Sequence, residues 1–289
     1  MQQQGTTQQG NQRPQQQTRL SGFDQTRTGL NYKFHTRSNS PRARIGDIIV
    51  AEIWVYADDN FEFTNEGKPE PMFQVMESQH DGDLMEAIRM IGKGDNVTFV
   101  FDLDVLRKHN PGMANDGNKF LRYTIKVDWV GSEAEFEAKQ ERDQAKGNAE
   151  EAARLKAFTS ESGITVRPNA DGVYVIITTQ GNGAPATRER TVAINYTGRL
   201  LNGTVFDTSL ERVAREHGLY TPQRHYTPLE FQVGVGQVVI GMDNALLGMR
   251  VGTKATLIIP SNVAYGSRDQ GTIPAFSTLV FDIEIVSVR

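Results

Sequence analysis

The residue types that most often carry chemistry are scarce in this chain of 289 residues and are not spaced for it. There is no cysteine, which removes thiolate nucleophiles, disulfides and Cys-ligated metal centres together. The five histidines, His35, His80, His109, His217 and His225, include no pair at a metal-ligand spacing within a helix. Gly234-Val235-Gly236 begins like a nucleotide-binding loop, but the G-x-G-x-x-G pattern fails at Val239 and no parallel-sheet unit surrounds it. Asp81, Asp83 and Glu86 lack the spacing of a calcium loop and read as the acidic start of a helix. What remains is a set of apolar and aromatic residues in the second half of the chain.

Those residues belong to five ordered blocks. Val192–Asp207 reads VAINYTGRLLNGTVFD, with a turn signal at Asn202-Gly203. PLEF (Pro228–Phe231), GVGQVVIGMDNALLGM (Gly234–Met249), VGTKATLIIPSNVAYG (Val251–Gly266) and IPAFSTLVFDIEIVSV (Ile273–Val288) follow. The succession, from Gly172 to Arg289, resembles the FK506-binding-protein (FKBP) family of peptidyl-prolyl cis–trans isomerases. The resemblance implies a shallow pocket with Tyr196, Phe206, Asp207 and Tyr265 as catalytic residues. Phe231, Val238, Val239, Met242, Ile273 and Phe281 would contact substrate. It further implies that the Tyr265 hydroxyl and the Ile273 backbone N–H face substrate or inhibitor carbonyls. No cofactor and no metal are implied. Three departures stand out: Met242 replaces the usual Trp floor, Ile273-Pro274-Ala275 replaces Ile-Pro-Pro, and Leu210–Thr227 is inserted beside Asp207. FK506-like ligands are therefore expected to bind, weakened by the flexible Met242. The insertion either contacts substrate or covers apolar surface. For Asp207 and Tyr265 the structural alternative is an ordinary buried hydrogen-bonded pair.

Such residues suit the reaction. Rotating a peptide bond costs about 18–20 kcal/mol because resonance holds it planar. At X–Pro the end states differ by only about 0.5–1 kcal/mol, so the difficulty is kinetic. The twisted amide has lost resonance and much of its dipole, so a dry, apolar site disfavours it less than the planar form. Oriented donors stabilise the rotated carbonyl or the pyramidal nitrogen. Asp207, if ionised beside Tyr196, would fix side chains and polarise the site rather than shuttle protons.

The elements that must position these groups read as an α+β protein. Residues 1–28 are dominated at the start by Gln, Thr, Gly and Asn and form a disordered tether. Strands are expected at 30–36, 47–56, 97–101 and 120–130, and a helix at 83–91 capped by Asp83. Residues 132–163, rich in Glu, Lys, Ala and Gln, form a helical linker, continuous or broken near Gly147-Asn148. Its thin apolar stripe reads as a solvated spacer or a substrate-holding arm. Residues 164–289 hold strands at 164–167, 173–178, 191–200, 229–233, 255–259 and 278–288, with a helix around Met242–Met249. The segments before and after the linker are each expected to be an FKBP-like domain, an antiparallel sheet curled over a short helix.

The chain also repeats itself. Phe231-Gln232-Val233 lies 158 residues after Phe73-Gln74-Val75, and Ala245, Gly252, Ile283 and Val288 keep that offset from Ala87, Gly94, Ile125 and Val130. Upstream the offset is 143, which sets Phe206 on Phe63 and Asp207 on Thr64. Tyr196 then falls on Ile53, Val238 on His80, Val239 on Asp81, Tyr265 on Arg107, Ile273 on Asn115 and Phe281 on Tyr123. A desolvating proline site cannot be built from His, Asp, Arg and Asn. Residues 29–131 are therefore expected to be a degenerate, non-catalytic copy serving partner binding, dimerisation or loose client binding.

The expected partners are proline-containing polypeptides. A net charge of −4 argues against nucleic acid, and no apolar run is long enough to span a membrane. Tandem copies behind a Gln-rich leader resemble envelope lipoproteins of Bacteroidetes-type bacteria, which implies the periplasm or cell envelope with a lipidated signal segment removed; the cytoplasm is the alternative. The competing function is a non-catalytic chaperone or scaffold.

Overall fold

The structure, a computed structural model, describes residues 19–289. Most of the expected tether lies outside the described residues. Its last stretch differs from expectation: β1 (Asp24–Gln25) pairs antiparallel with β2 (Asn31–Thr36), and Leu30 beside it is fully buried. An apolar anchor at the end of the polar leader explains the difference.

The chain divides into two compact units, residues 1–139 and 140–289. The first continues with β3 (Ile48–Ala57), β4 (Asn60–Thr64), β5 (Glu70–Gln74), α1 (Leu84–Arg89), β6 (Asn96–Asp102), α2 (Leu103–His109) and β7 (Phe120–Gly131). Its sheet runs β1-β2-β6-β7-β3-β4, with β5 also on β3. Ile49, Ala51, Ile53, Val55 and Ala57 alternate inward along β3, the period of a half-buried strand. Asp83 caps α1, accepting the Glu86 N–H at 2.8 Å. The sequence reading missed α2 because it buries only Leu103 and so carries no apolar stripe.

The boundary between units falls inside α3 (Glu133–Glu161), a single unbroken helix. Ser132 and Glu135 form a reciprocal cap at its start: the Ser132 N–H donates to Glu135 at 2.8 Å and the Glu135 N–H to the Ser132 hydroxyl at 3.3 Å. Gly163, at φ +63°, ends it, and the Ile164 N–H returns to the Thr159 carbonyl. The extended stretch after it does not form the strand expected at 164–167.

The second unit holds β8 (Tyr174–Thr179), β9 (Thr191–Leu200), β10 (Val205–Thr208), α4 (Glu211–Glu216), β11 (Leu229–Gln232), α5 (Ile240–Leu246), β12 (Lys254–Ile259) and β13 (Leu279–Val288). Its sheet runs β10-β9-β13-β12-β8, with β11 on β9, and all pairs are antiparallel. Helix α5 starts two residues before the expected Met242 and ends at Leu246, with Leu247 as its cap ahead of Gly248 at φ +83°.

The two sheets share one plan. Tyr196 stands opposite Ile283 as Ile53 stands opposite Ile125, and Leu257 opposite Val175 as Phe99 opposite Tyr32. One alignment needs correcting. Asp207 pairs with Gly198 after a bulge at Phe206, and Phe63 pairs with Val55 after a bulge at Glu62. The counterpart of Asp207 is therefore Phe63, not Thr64, and that of Phe206 is Glu62. Hydrogen bonds agree: the Thr208 hydroxyl donates to the Tyr196 carbonyl at 2.9 Å, and the Thr64 hydroxyl to that of Ile53 at 2.8 Å.

Candidate active site

Strands β9, β10 and β13 supply the aromatic wall. The bulge in β10 leaves Phe206 unpaired and re-aims it. Its ring meets Phe281 of β13 edge to face, with centroids 5.6 Å apart, and Tyr196 lies 6.2 Å from the same ring. Gly198 makes this closure feasible, because a Cβ there would lie 2.6 Å from Phe206 and 2.7 Å from Phe281.

Helix α5 supplies the floor. Met242 is only 3 % exposed and shares one buried cluster with Tyr196, Phe231, Ile273 and Phe281. Phe206, Val238 and Val239 pack against that cluster. Eight of the ten residues expected to line the pocket thus belong to, or pack against, the apolar core of this unit. The fully buried Asp243 accepts the N–H groups of Gly234 at 2.6 Å and Gly236 at 2.7 Å, fixing the loop that carries Val238 and Val239. The glycine pair is a turn held by a carboxylate, with both residues in the left-handed region.

Asp207 stands at the rim. The Tyr196 hydroxyl donates to its carboxylate at 2.5 Å, and the Thr208 N–H donates at 2.8 Å. Burial, reinforced by the neighbouring carboxylate, pushes the Tyr196 phenol up to about 12, with Arg224 opposing. Tyr265 is the outlier: it is 37 % exposed and lies outside the buried cluster.

The sequence reading missed Arg224. Its guanidinium donates to Asp207 at 2.6 Å and to the Tyr196 hydroxyl at 3.3 Å, and the bond to Asp207 raises its own pKa. The insertion delivers it. Arg215 of α4 sits 3.5 Å over the Tyr220 ring, Tyr220 stacks on Tyr226, and the Thr221 N–H donates to the Tyr226 hydroxyl. A cavity of about 610 Å³ opens beside Tyr196 beneath this segment, lined by Ser209, Arg224, His225 and Leu229 among others. The need of a carboxylate in aromatic surroundings for a counter-charge was the available signal, and Arg224 is the arginine nearest the PLEF block.

The corresponding place in the first unit is polar. Arg107 pairs with Asp116 at 3.1 Å and Asp104 at 3.2 Å, while His80 stacks on His109 with centroids 3.9 Å apart.

The candidate site is thus an aromatic cluster over Met242 with a tethered carboxylate beside it. Residues 183–286 match the family model described as FKBP-type peptidyl-prolyl cis-trans isomerase. FK506-binding protein 1A of Neurospora crassa is 39 % identical over 124 residues, which cover 42 % of this chain and 92 % of that protein. An FK506-binding protein of Neisseria meningitidis serogroup A is 39 % identical over 110 residues, covering 38 % and 89 %. FK506-binding protein 2 of Dictyostelium discoideum is 45 % identical over 97 residues, 33 % of this chain and 63 % of that one, so the match spans under two thirds of that relative. The chain belongs to the FKBP-type peptidyl-prolyl cis-trans isomerases.

Proposed function

We propose that residues 164–289 accelerate rotation about X–Pro bonds in polypeptides and so assist protein folding. The observation that carries this reading is that eight of the expected lining residues, Met242 among them, belong to or pack on one apolar cluster, while Asp207 holds Tyr196 and Arg224 together. The proline ring enters among Phe206, Phe231, Val238, Val239 and Phe281, over Met242. Leaving water costs the planar, dipolar amide more than the twisted one, which lowers the barrier without making or breaking a covalent bond. The Tyr265 hydroxyl, at the exposed edge, donates to the turning carbonyl. Asp207 orients Tyr196 and polarises the entrance. Phe231 and Ile273 favour a large apolar residue before proline. FK506-like ligands enter the same hollow, less tightly than over a flat indole.

A protease-coupled assay on a peptide with leucine before proline tests the reading. The full chain should accelerate isomerisation, and Asp207→Ala and Tyr265→Phe should each lower kcat/KM by about tenfold, the scale of one lost charge-assisted contact. A folded protein with no measurable acceleration would leave the polypeptide-holding function instead.

That second function is favoured by one observation in the first unit, which we read as a degenerate, non-catalytic copy. Phe61 and Phe63 on the edge strand β4 are 57 % and 45 % exposed, the kind of surface that holds unfolded chain. Suppression of client aggregation that survives Asp207→Ala but falls in Phe61→Ser/Phe63→Ser would assign holding to this unit. An envelope location goes with the Gln-rich leader and is tested by cell fractionation.

A further inference from the structure

The loop between β12 and β13, residues 260–278, carries both Tyr265 and Ile273, and both its ends are tied to one side chain of α3. Glu151 is a long, charged residue on a helix that is otherwise mostly exposed, yet only 6 % of it is accessible. Its Oε1 accepts the Ser261 N–H at 2.7 Å and the Thr278 hydroxyl at 2.6 Å, and its Oε2 accepts the Ser261 hydroxyl. Ser261 and Thr278 are the first and last loop residues to be held, and both are buried. A carboxylate is buried at this depth only when donors surround it.

The same face of the helix grips the loop again. Phe276 has a backbone φ of +54°, in the left-handed region that a bulky residue adopts only when its surroundings impose it. Three contacts impose it. Arg154 donates to the Phe276 carbonyl at 2.9 Å, the Phe276 N–H donates to the Gly266 carbonyl at 2.8 Å, and the ring lies against Gly147. A Cβ at Gly147 would come within 2.5 Å of that ring, so the helix needs glycine there for the ring to seat. Gly147, Glu151 and Arg154 follow the spacing of neighbours on one helix face.

We propose that the second half of α3 is a working part of the catalytic unit, and that Glu151 is a positioning residue that fixes the loop presenting Tyr265 and Ile273 to substrate. This rests on the isomerase reading of the same site. With the loop held in advance, ordering it is not charged against substrate binding. When the clamp is released that cost falls on binding, so KM rises while kcat changes little. A merely structural role would reduce the fraction of active protein, lowering kcat at constant KM.

The test uses the full chain. Glu151→Ala should raise KM about tenfold, the scale of ordering one or two side chains on binding, with kcat within about twofold of the parent. Amide exchange over 262–277 should quicken while exchange in β9 and β13 stays slow. Glu151→Gln, whose amide can accept from Ser261 N–H and Thr278 and donate to the Ser261 hydroxyl, should restore KM to within about threefold. Arg154→Ala, at an exposed position of that face, and Gly147→Ala, which leaves the carboxylate in place, should raise KM in the same sense. Unchanged KM and unchanged loop exchange in Glu151→Ala would overturn the proposal, as would a fall in kcat alone. If the parent chain showed no isomerase activity, the functional reading would fail by itself, and loop exchange in Glu151→Ala would still decide whether the clamp exists.

Discussion

Asp207, Tyr196 and Arg224 share two hydrogen bonds and one ion pair, and their energetics differ from their functional weight. The Arg224–Asp207 pair has both side chains about 40 % exposed, so its loss should cost no more than about 1 kcal/mol of stability. Arg224→Ala is expected to unfold at nearly the parental temperature while lowering kcat/KM several-fold, because Asp207 then faces the hollow without its counter-charge. Thermal denaturation and the coupled assay on one sample check both halves. Tyr196 adds a pH dependence. Its folded-state value of about 12 exceeds the ordinary tyrosine value of about 10. Stability from the neutral phenol is thus complete below pH 10 and is lost as pH rises through about 12. Absorbance titration should show a late-ionising tyrosine that is absent in Tyr196→Phe. At Met242, 3 % exposed, Ala should cost about 2–5 kcal/mol and Leu under about 1.5 kcal/mol in chemical denaturation.

At the scale of elements, the caps and close approaches decide more than the strands do. Ser132→Ala removes one half of the reciprocal cap on α3 and should cost about 1 kcal/mol, read by urea denaturation. Gly198→Ala should cost more, since the added methyl must displace two aromatic rings at once. The strands with long alternating runs were legible from their residues: β9 was expected at its observed bounds, and β3, β7 and β13 within a residue or so. The edge strands β4 and β10 were not, because their bulges break the alternation that marks a strand. The gapless alignment failed at Asp207 because the β9–β10 hairpin, taken from the pair Arg199 and Val205, is one residue longer than the β3–β4 hairpin, taken from the pair Tyr56 and Phe61. The apolar wall could be read because its residues are large and sit in patterned blocks. Arg224 and Glu151 could not, because each acts on groups distant in sequence from a stretch of ordinary helix-forming or polar composition.

At the scale of the molecule, the functional boundary does not coincide with the change of composition. A fragment of residues 164–289 contains every pocket residue but lacks Gly147, Glu151 and Arg154. Its KM should exceed that of a fragment of residues 140–289, which should match the full chain in the coupled assay. Neither fragment should reproduce any client-holding activity that depends on Phe61 and Phe63. The shared bulge carries a different consequence. Glu62 in the first unit occupies the register of Phe206, and beneath it the Thr64 and Asn65 bonds to Ile53 repeat those of Thr208 and Ser209 to Tyr196. The first unit has therefore kept the joinery and changed only the upholstery. A chain redesigned toward a second proline seat would begin with Glu62→Phe, Phe63→Asp and Ile53→Tyr, and would need Val55→Gly as well, because Val55 stands where Gly198 lets the rings close.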